Sequence, residues 1–422
     1  MKSIIEKILV GDNDLVNFSN VEKKKLLQRI KILEYLFLNG KTSNAEICNQ
    51  FNISLPTSVS LINQLIDHGI VTKKGRGESE GGRKPDLYGL VEKTFYVLAI
   101  HVDQFKIRLA ILDCNHAIIE ENQIEVELSS QSNIVDITYD LFEKMIAESE
   151  IDRSKIVGLG ASMPGLVSKE EGKNFTYYLT EQEPEPLKDA FLNKFKIPTI
   201  ILNDSKSACL AEFRFGKAKN KKDALVITMD WGAGLGIILG GEMHNGTSGF
   251  AGEFGHIPMV DDGLLCHCGK RGCLETEASG MAMVRKAKDG IKKGETSLLS
   301  TLPQDEFDRL SPKTIIEAAN KGDQFCINII GEIGLTLGKG LAILIQIFNP
   351  ELIILEGEIA KAKQFITTPI QQSMNTYCMM QLKEKTTVTL SNLGSHASLY
   401  GATIAVVEET FEKLASKVMQ EA

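Results

Sequence analysis

Leu26, Ile30, Leu33 and Phe37 recur at i, i+4, i+7 and i+11, the spacing of one apolar helix face, and Asn39-Gly40 supplies its stop. A second helix is predicted from Ser43 or Asn44, with Ala45, Ile47, Cys48 and Phe51 on its apolar side. After the short turn Asn52-Ile53, Ser54 is a good N-cap and Pro56 is tolerated in the first turn, so a third helix is predicted over residues 55–68, stopping at Gly69. Its Val59, Ile62 and Ile66 are predicted to face inward, leaving Thr57, Ser60, Leu61 and Gln64 outward. Residues 71–74 and 83–90 read as short strands flanking a flexible glycine-rich turn. Three helices and a basic hairpin predict a winged helix-turn-helix. Short polar groups near a helix N-terminus suit base edges in a major groove, and a basic hairpin suits phosphates. The predicted nucleic-acid contacts are Pro56, Thr57, Ser58, Ser60, Leu61 and Gln64 on the helix, with Arg76, Arg83 and Lys84 on the wing.

From about residue 95 the pattern becomes alternating strands and helices. Residues 95–101 and 106–113 read as an antiparallel strand pair, and residues 136–150 as a helix. Residues 156–162, 199–203, 224–229, 236–239 and 352–355 read as strands. Residues 205–215, 327–348 and 401–413 read as helices, the middle one long and punctuated by glycine. This is an α/β pattern, and residues 93–422 are long enough for two lobes with a cleft. The expected organisation is an N-terminal arm (1–20), a winged helix-turn-helix (21–92) and the two-lobed domain (93–422). Ile4, Ile5, Ile8 and Leu9 in the arm suggest a short amphipathic helix suited to packing on a partner subunit.

The composition is that of an ordinary globular chain of 422 residues, 43% hydrophobic and 24% charged. No stretch of 18 uncharged apolar residues occurs, the candidate at residues 340–349 stops at Pro350, and acids stand near the N-terminus. Membrane spanning and secretion are therefore disfavoured, and a cytoplasmic location is expected. Charge is uneven. Residues 21–92 hold 11 Lys+Arg against 8 Asp+Glu, while the whole chain carries −8, so a polyanion would meet the front end.

Five of the eight cysteines (Cys48, Cys114, Cys209, Cys326 and Cys378) are scattered among apolar neighbours and read as buried, reduced thiols. The other three form His256-x9-Cys266-x-Cys268-Gly269-x-x-Gly272-Cys273. One imidazole and three thiolates make a closed four-donor set, which favours structural zinc over a catalytic ion needing an open position. His267, between two of these cysteines, is an alternative imidazole ligand.

Ala251-Gly252-Glu253-Phe254-Gly255-His256, followed by Cys-x-Cys-Gly-x-x-Gly-Cys273-Leu274-Glu275, resembles the signature of the ROK family of repressors, open reading frames and kinases. The resemblance extends through Met163-Pro164-Gly165, Asn203-Asp204, Asn349-Pro350-Glu351 and Gly401-Ala402. The tract GRGESEGGRKP resembles the wing that precedes the ligand domain in the family's repressors. The resemblance implies a winged helix-turn-helix followed by a two-lobed, actin-like or sugar-kinase-like (ribonuclease H-like) ATPase fold. It also implies that Asn203, Asp204, Glu253, His256 and Glu275 hydrogen-bond sugar hydroxyls. His256 would then use one nitrogen for zinc and the other for the ligand.

In the family's kinases the residue matching Asp204 is the general base, and the first phosphate loop reads Asp-x-Gly-Gly-Thr. Here that stretch is His101-Val102-Asp103-Gln104-Phe105, which lacks the glycines that let backbone N–H groups close on a phosphate. The second loop, Asp230-Trp231-Gly232-Ala233-Gly234-Leu235-Gly236, opens with Asp-Trp in place of Gly-Thr, and Leu355-Glu356-Gly357-Glu358 has lost one glycine of a pair. All three departures fall on the nucleotide side. The expectation is a sugar-responsive transcriptional regulator, a repressor, bound to operator DNA as a homodimer or homotetramer, with a sugar or sugar-phosphate effector and no catalysis. The alternative is an ATP-dependent sugar kinase with a DNA-binding appendage, using Asp204 as base.

Overall fold

Helix starts in the front segment are set by side chains that satisfy the otherwise free N–H groups of a first turn. Ser19 and Glu22 exchange such bonds at the start of one helix, and Ser43 and Glu46 at the next. Ser54 accepts from the Thr57 N–H at the third, with Pro56 in its first turn. The computed structural model describes residues 4–10, 15, 18–78, 84–129, 133–177 and 185–420. The chain divides into two units, one of residues 1–203 with 402–422, the other of residues 204–401.

The first unit contains α1 (Ile4–Val10), α2 (Asn20–Asn39), β1 (Thr42–Ser43), α3 (Asn44–Phe51), α4 (Leu55–Asp67), β2 (Val71–Arg76) and β3 (Asp86–Leu90). The three strands pair in the order β1-β3-β2, completing a winged helix. The inward face of α4 differs from the expected one. Ser58, Leu61, Ile62 and Leu65 are buried, at i, i+3, i+4 and i+7, whereas Val59 is 38% exposed. Ser58 goes inward because its hydroxyl donates to Asn44 Oδ1 at 2.7 Å, which offsets the cost of burying it. Leu61 and Ser58 are therefore not on the outward face. Pro56 and Ser60 are exposed, and Thr57 and Gln64 partly so. On the wing, Arg76 and Lys84 are exposed, and Arg83 lies outside the described residues.

The same unit continues with β4 (Tyr96–Val102), β5 (Lys106–Asp113), β6 (Ile118–Glu125), α5 (Ile134–Glu148), β7 (Ile156–Met163), β8 (Val167–Ser168), β9 (Lys173–Asn174), α6 (Leu187–Phe195) and β10 (Thr199–Asn203). Its main sheet has the order β10-β7-β4-β5-β6, with β10, β7 and β4 parallel and the last three strands antiparallel. Central strands β4 and β7 are buried along their whole length, and Phe142, Phe191 and Phe195 pack on the sheet. The closing helix (Ala397–Gln420) lies close on β7: a Cβ at Gly160 would stand 2.6 Å from the Ala402 carbonyl oxygen.

Two contacts tie the front segment to this sheet. Helix α1 packs against β7, burying Ile5, Leu9 and Val10, and Lys417 of the closing helix donates to Glu6 at 2.5 Å. The apolar face expected to meet a partner subunit is thus covered by the chain itself. In the turn after β5, His116 Nε2 donates to the carbonyl of Phe37 near the end of α2 at 2.6 Å, with the two rings edge to face at 4.4 Å. Burial lowers the pKa of His116, so the neutral donor form prevails.

The second unit contains α7 (Asp204–Arg214), β11 (Ala224–Met229), β12 (Ala233–Leu239), β13 (Glu242–Met243), α8 (Leu274–Glu277), α9 (Gly280–Lys292), α10 (Gln304–Asp308), α11 (Pro312–Asn320), α12 (Gln324–Phe348), β14 (Leu352–Glu356), α13 (Gln364–Tyr377), α14 (Met380–Lys383) and β15 (Thr387–Leu390). Its sheet runs β13-β12-β11-β14-β15, with β11, β14 and β15 parallel. Helix α12 is long and apolar enough to cross a membrane by length and composition. Here it is the core helix of the unit, burying Ile329, Ile330, Ile333, Leu337, Leu341 and Ile345.

Candidate metal and ligand site

His256 sits in a single 3-10 turn, Phe254–His256, separated by one residue from Gly252, where φ is +96° and a Cβ would stand 2.2 Å from the Leu235 carbonyl oxygen. The three cysteines lie on a tight knuckle closed by the Cys266 N–H donating to the Lys270 carbonyl at 2.7 Å. Gly272, at φ +72°, lets this backbone pass Val260: a Cβ there would be 1.8 Å from the Val260 carbonyl oxygen.

One donor atom from each of His256, Cys266, Cys268 and Cys273 lies within 4.8 Å of the others. Cys268 and Cys273 sulfurs are 3.6 Å apart, and Cys266 Sγ is 3.6 Å from His256 Nδ1. A tetrahedral ion with sulfur ligands at about 2.3 Å has ligand-to-ligand edges of about 3.8 Å, so the donor set fits a four-coordinate metal. The Cys268 N–H points at Cys266 Sγ and the Lys270 N–H at Cys268 Sγ, so backbone N–H groups of the knuckle support the sulfurs. Burial and the two neighbouring sulfurs push the Cys273 thiol up to about 12, a crowding that a bound cation relieves by favouring thiolates.

The other face of the His256 ring meets the carboxylates. Its Nε2 is 3.8 Å from Glu253 Oε2. Burial and the negative Glu275 raise the Glu253 pKa against the opposing pull of Lys206. Burial would raise the Glu275 pKa too, but His267 and the Ala233 N–H hold it below the usual carboxylate range. Asp204 opens α7 and accepts from the Ser205 N–H at 2.7 Å. Lys206, two residues on, donates to the Gly249 carbonyl, and burial lowers its pKa.

Asp204, Glu253, His256 and Glu275 all belong to the second unit, whereas Asn203 ends β10 in the first, its amide donating to the Gly165 carbonyl at 3.0 Å. His267 is not one of the four cluster donors. It stands 3.1 Å from Glu275 Oε1 and 3.8 Å from Cys266 Sγ, and with His256 and Glu275 it forms a second group whose donor atoms lie within 4.8 Å of one another. Sequence reasoning treated it only as a rival metal ligand, and it passed over Lys206, although its place two residues after Asp204 was a visible signal.

Of the Asp230–Gly236 segment, read from the sequence as a loop, Gly234 and Gly236 lie within β12 and have packing reasons. A Cβ at Gly234 would be 1.9 Å from Ser205 Oγ, and one at Gly236 would be 2.1 Å from Cys209 Cβ, so they let α7 lie on β12. Nearby, Glu356 is fully buried, and burial first, then the negative Asp230, Asp204 and Glu212, push its pKa up to about 8. In the first unit, the turn between β4 and β5 closes on its own side chains. Arg108 donates to His101 Nδ1 at 2.8 Å, the Gln104 N–H to Asp103 Oδ1 at 2.6 Å, and Tyr177 to Gln104 Oε1 at 3.1 Å.

The model of the family described as ROK matches residues 97–409, and that of a winged helix-turn-helix DNA-binding domain matches residues 27–72. The chain is 27% identical over 383 residues to the DNA-binding transcriptional dual regulator NagC of Escherichia coli K12, covering 91% of this chain and 93% of that protein. It is 28% identical over 385 residues to the xylose repressor of Bacillus spizizenii, covering 91% and 96%. Among solved structures, it resembles a ROK family transcriptional regulator homologous to the E. coli MLC protein, with TM-score 0.74, 24% identity and coverage of 94% and 99%. It also resembles a ROK family glucokinase from Streptomyces griseus in complex with glucose and AMPPNP, with TM-score 0.64, 28% identity and coverage of 73% and 97%. A family match over most of the length, behind a winged helix whose strands and caps are in place, makes the conclusion plain: this chain belongs to the ROK family.

Proposed function

We propose that this protein is a DNA-binding transcriptional regulator of carbohydrate metabolism, a repressor, whose ROK domain (93–422) binds a sugar or sugar derivative without phosphorylating it. The observation that carries this reading is coverage. The NagC and xylose repressor matches run through winged helix and ROK domain alike, whereas 97% of the glucokinase fits onto 73% of this chain. The closed β4–β5 turn supports the same reading, because its side chains bond to one another and to Tyr177, and none of its residues is a glycine able to cradle phosphate.

In this reading the winged helix (21–92) presents Pro56, Thr57, Ser60 and Gln64 to base edges, and Arg76, Arg83 and Lys84 to phosphates. Asp204, Glu253, His256 and Glu275, with Asn203 preceding Asp204 in the chain, bind sugar hydroxyls through acceptors and donors in set positions. A structural zinc held by His256, Cys266, Cys268 and Cys273 orients the imidazole. The protein acts as a homodimer or homotetramer, since paired half-sites multiply the specificity of one small head. The sugar shifts operator affinity only as far as it binds two conformations of the protein unequally.

The test is a footprint of the purified protein on the DNA flanking its own gene, repeated with N-acetylglucosamine, xylose and glucose. A protected site that one sugar weakens or strengthens is the expected result. Sugar-dependent ATP consumption that disappears in Asp204→Ala would establish the kinase instead.

A further inference from the structure

Glu275 is held from two sides. Its Oε2 accepts from the Ala233 N–H at 3.1 Å, and its Oε1 faces His267 Nδ1 at 3.1 Å. Gly232 leaves the room for this: a Cβ there would be 2.7 Å from Glu275 Oε2. A carboxylate only accepts, so His267 Nδ1 is the donor, whether the ring is neutral or charged. Each oxygen keeps a further lone pair, and with both oxygens anchored those lone pairs point in set directions.

The backbone of His267 is placed by its neighbours, since Cys266 and Cys268 on either side are cluster donors and the Gly269 N–H returns to the Cys266 carbonyl at 2.9 Å. Its ring stands 5.1 Å from that of His256, edge to face. We propose that His267 is a positioning residue that pre-orients Glu275 for a ligand hydroxyl, giving the metal knuckle a second route to the binding site besides His256. This rests on the sugar-binding reading of the same carboxylates. Pre-orientation strengthens binding because a flexible glutamate no longer has to be ordered when the ligand arrives. The proposal separates two histidines of one knuckle: His256 holds the ion, and His267 holds the carboxylate.

The experiment uses the full chain with His267→Ala, His267→Asn, whose amide N–H can stand near the Nδ1 position, and His256→Ala. Bound metal per chain is measured by mass spectrometry, and affinities for N-acetylglucosamine, xylose and glucose by calorimetry. The expected result is that His267→Ala keeps the wild-type metal content and weakens the best-bound sugar about ten-fold. His267→Asn recovers most of that loss, and His256→Ala loses metal. Unchanged sugar affinity in His267→Ala, or metal loss as in His256→Ala, overturns the proposal. If the wild type binds none of the three sugars, the sugar reading fails on its own. Crystal structures of wild type and His267→Ala then decide the positioning role. A single Glu275 rotamer in the wild type and a displaced one in the variant support it, and the same rotamer in both overturns it.

Discussion

The β4–β5 turn of the first unit and the Glu253–Glu275 segment of the second are both rich in buried polar groups, yet they use them in opposite ways. In the turn, His101, Asp103, Gln104 and Arg108 bond to one another, to Tyr177 and to the backbone, with Arg108 Nε the one buried atom of the four left without a partner. Burial, aided by Arg108, holds His101 neutral, so its Nδ1 accepts from the guanidinium. In the second unit, two carboxylates, two imidazoles and a lysine converge beside a four-donor cluster. Polar groups that satisfy one another make structure, and polar groups held in place but not exhausted make a binding site.

The largest expected effect comes from the knuckle. On the proposed structural-zinc reading, Cys273→Ser or treatment with a strong chelator removes the ion and lowers the stability of the second unit by about 3 kcal/mol or more, read by denaturant unfolding. Equal stability with and without the ion would remove the metal from the account. Next, Glu253→Gln weakens the bound sugar about ten-fold or more, whereas Gln104→Ala in the closed turn changes it less than about two-fold, both read by calorimetry. Comparable losses from the two variants would erase the distinction between the regions.

Gly234→Ala forces a methyl group against Ser205 and destabilises the protein by about 1–3 kcal/mol, although the residue touches no ligand in the proposed reading.

The remaining effects are in pH dependence and run in opposite directions. The folded pKa of Glu356, about 8, lies above its unfolded value near 4.5, so the unfolded chain loses this proton first and stability falls as pH rises between the two. Glu356→Gln should therefore stabilise the protein by about 1–3 kcal/mol at pH 7, with the gain shrinking as pH falls toward 4.5. His101 has a folded pKa well below 6.5, so below that pH the unfolded chain takes up a proton the folded one refuses. Stability then falls on acidification by at most about 1.4 kcal/mol per pH unit, and His101→Gln should flatten that slope in denaturant titrations from pH 7 to 5.

Sequence alone determined what depends on neighbours along the chain. Ser54 caps its helix at the predicted place, and Ser43 caps the helix predicted to start there or at Asn44, because a cap is a contact across three residues. Residues 224–229 form the predicted strand, since a buried parallel strand is written as an unbroken apolar run. The His256–Cys273 cluster was legible for the same reason, all its donors lying within one short stretch. Edge strand β6 was not legible: IIEENQIE is largely exposed and lacks the alternation that marks a half-buried strand.

What only the tertiary structure decided were choices between faces and partners. Ser58 displaced Val59 from the core of the winged helix because Asn44, fourteen residues away, was there to accept its proton. The arm's apolar helix met β7 and Lys417, from the far end of the chain, and His267 met Glu275. Hydrophobic periodicity states that a face is to be buried, but which polar group can follow it inside depends on a partner that only folding brings within hydrogen-bond reach.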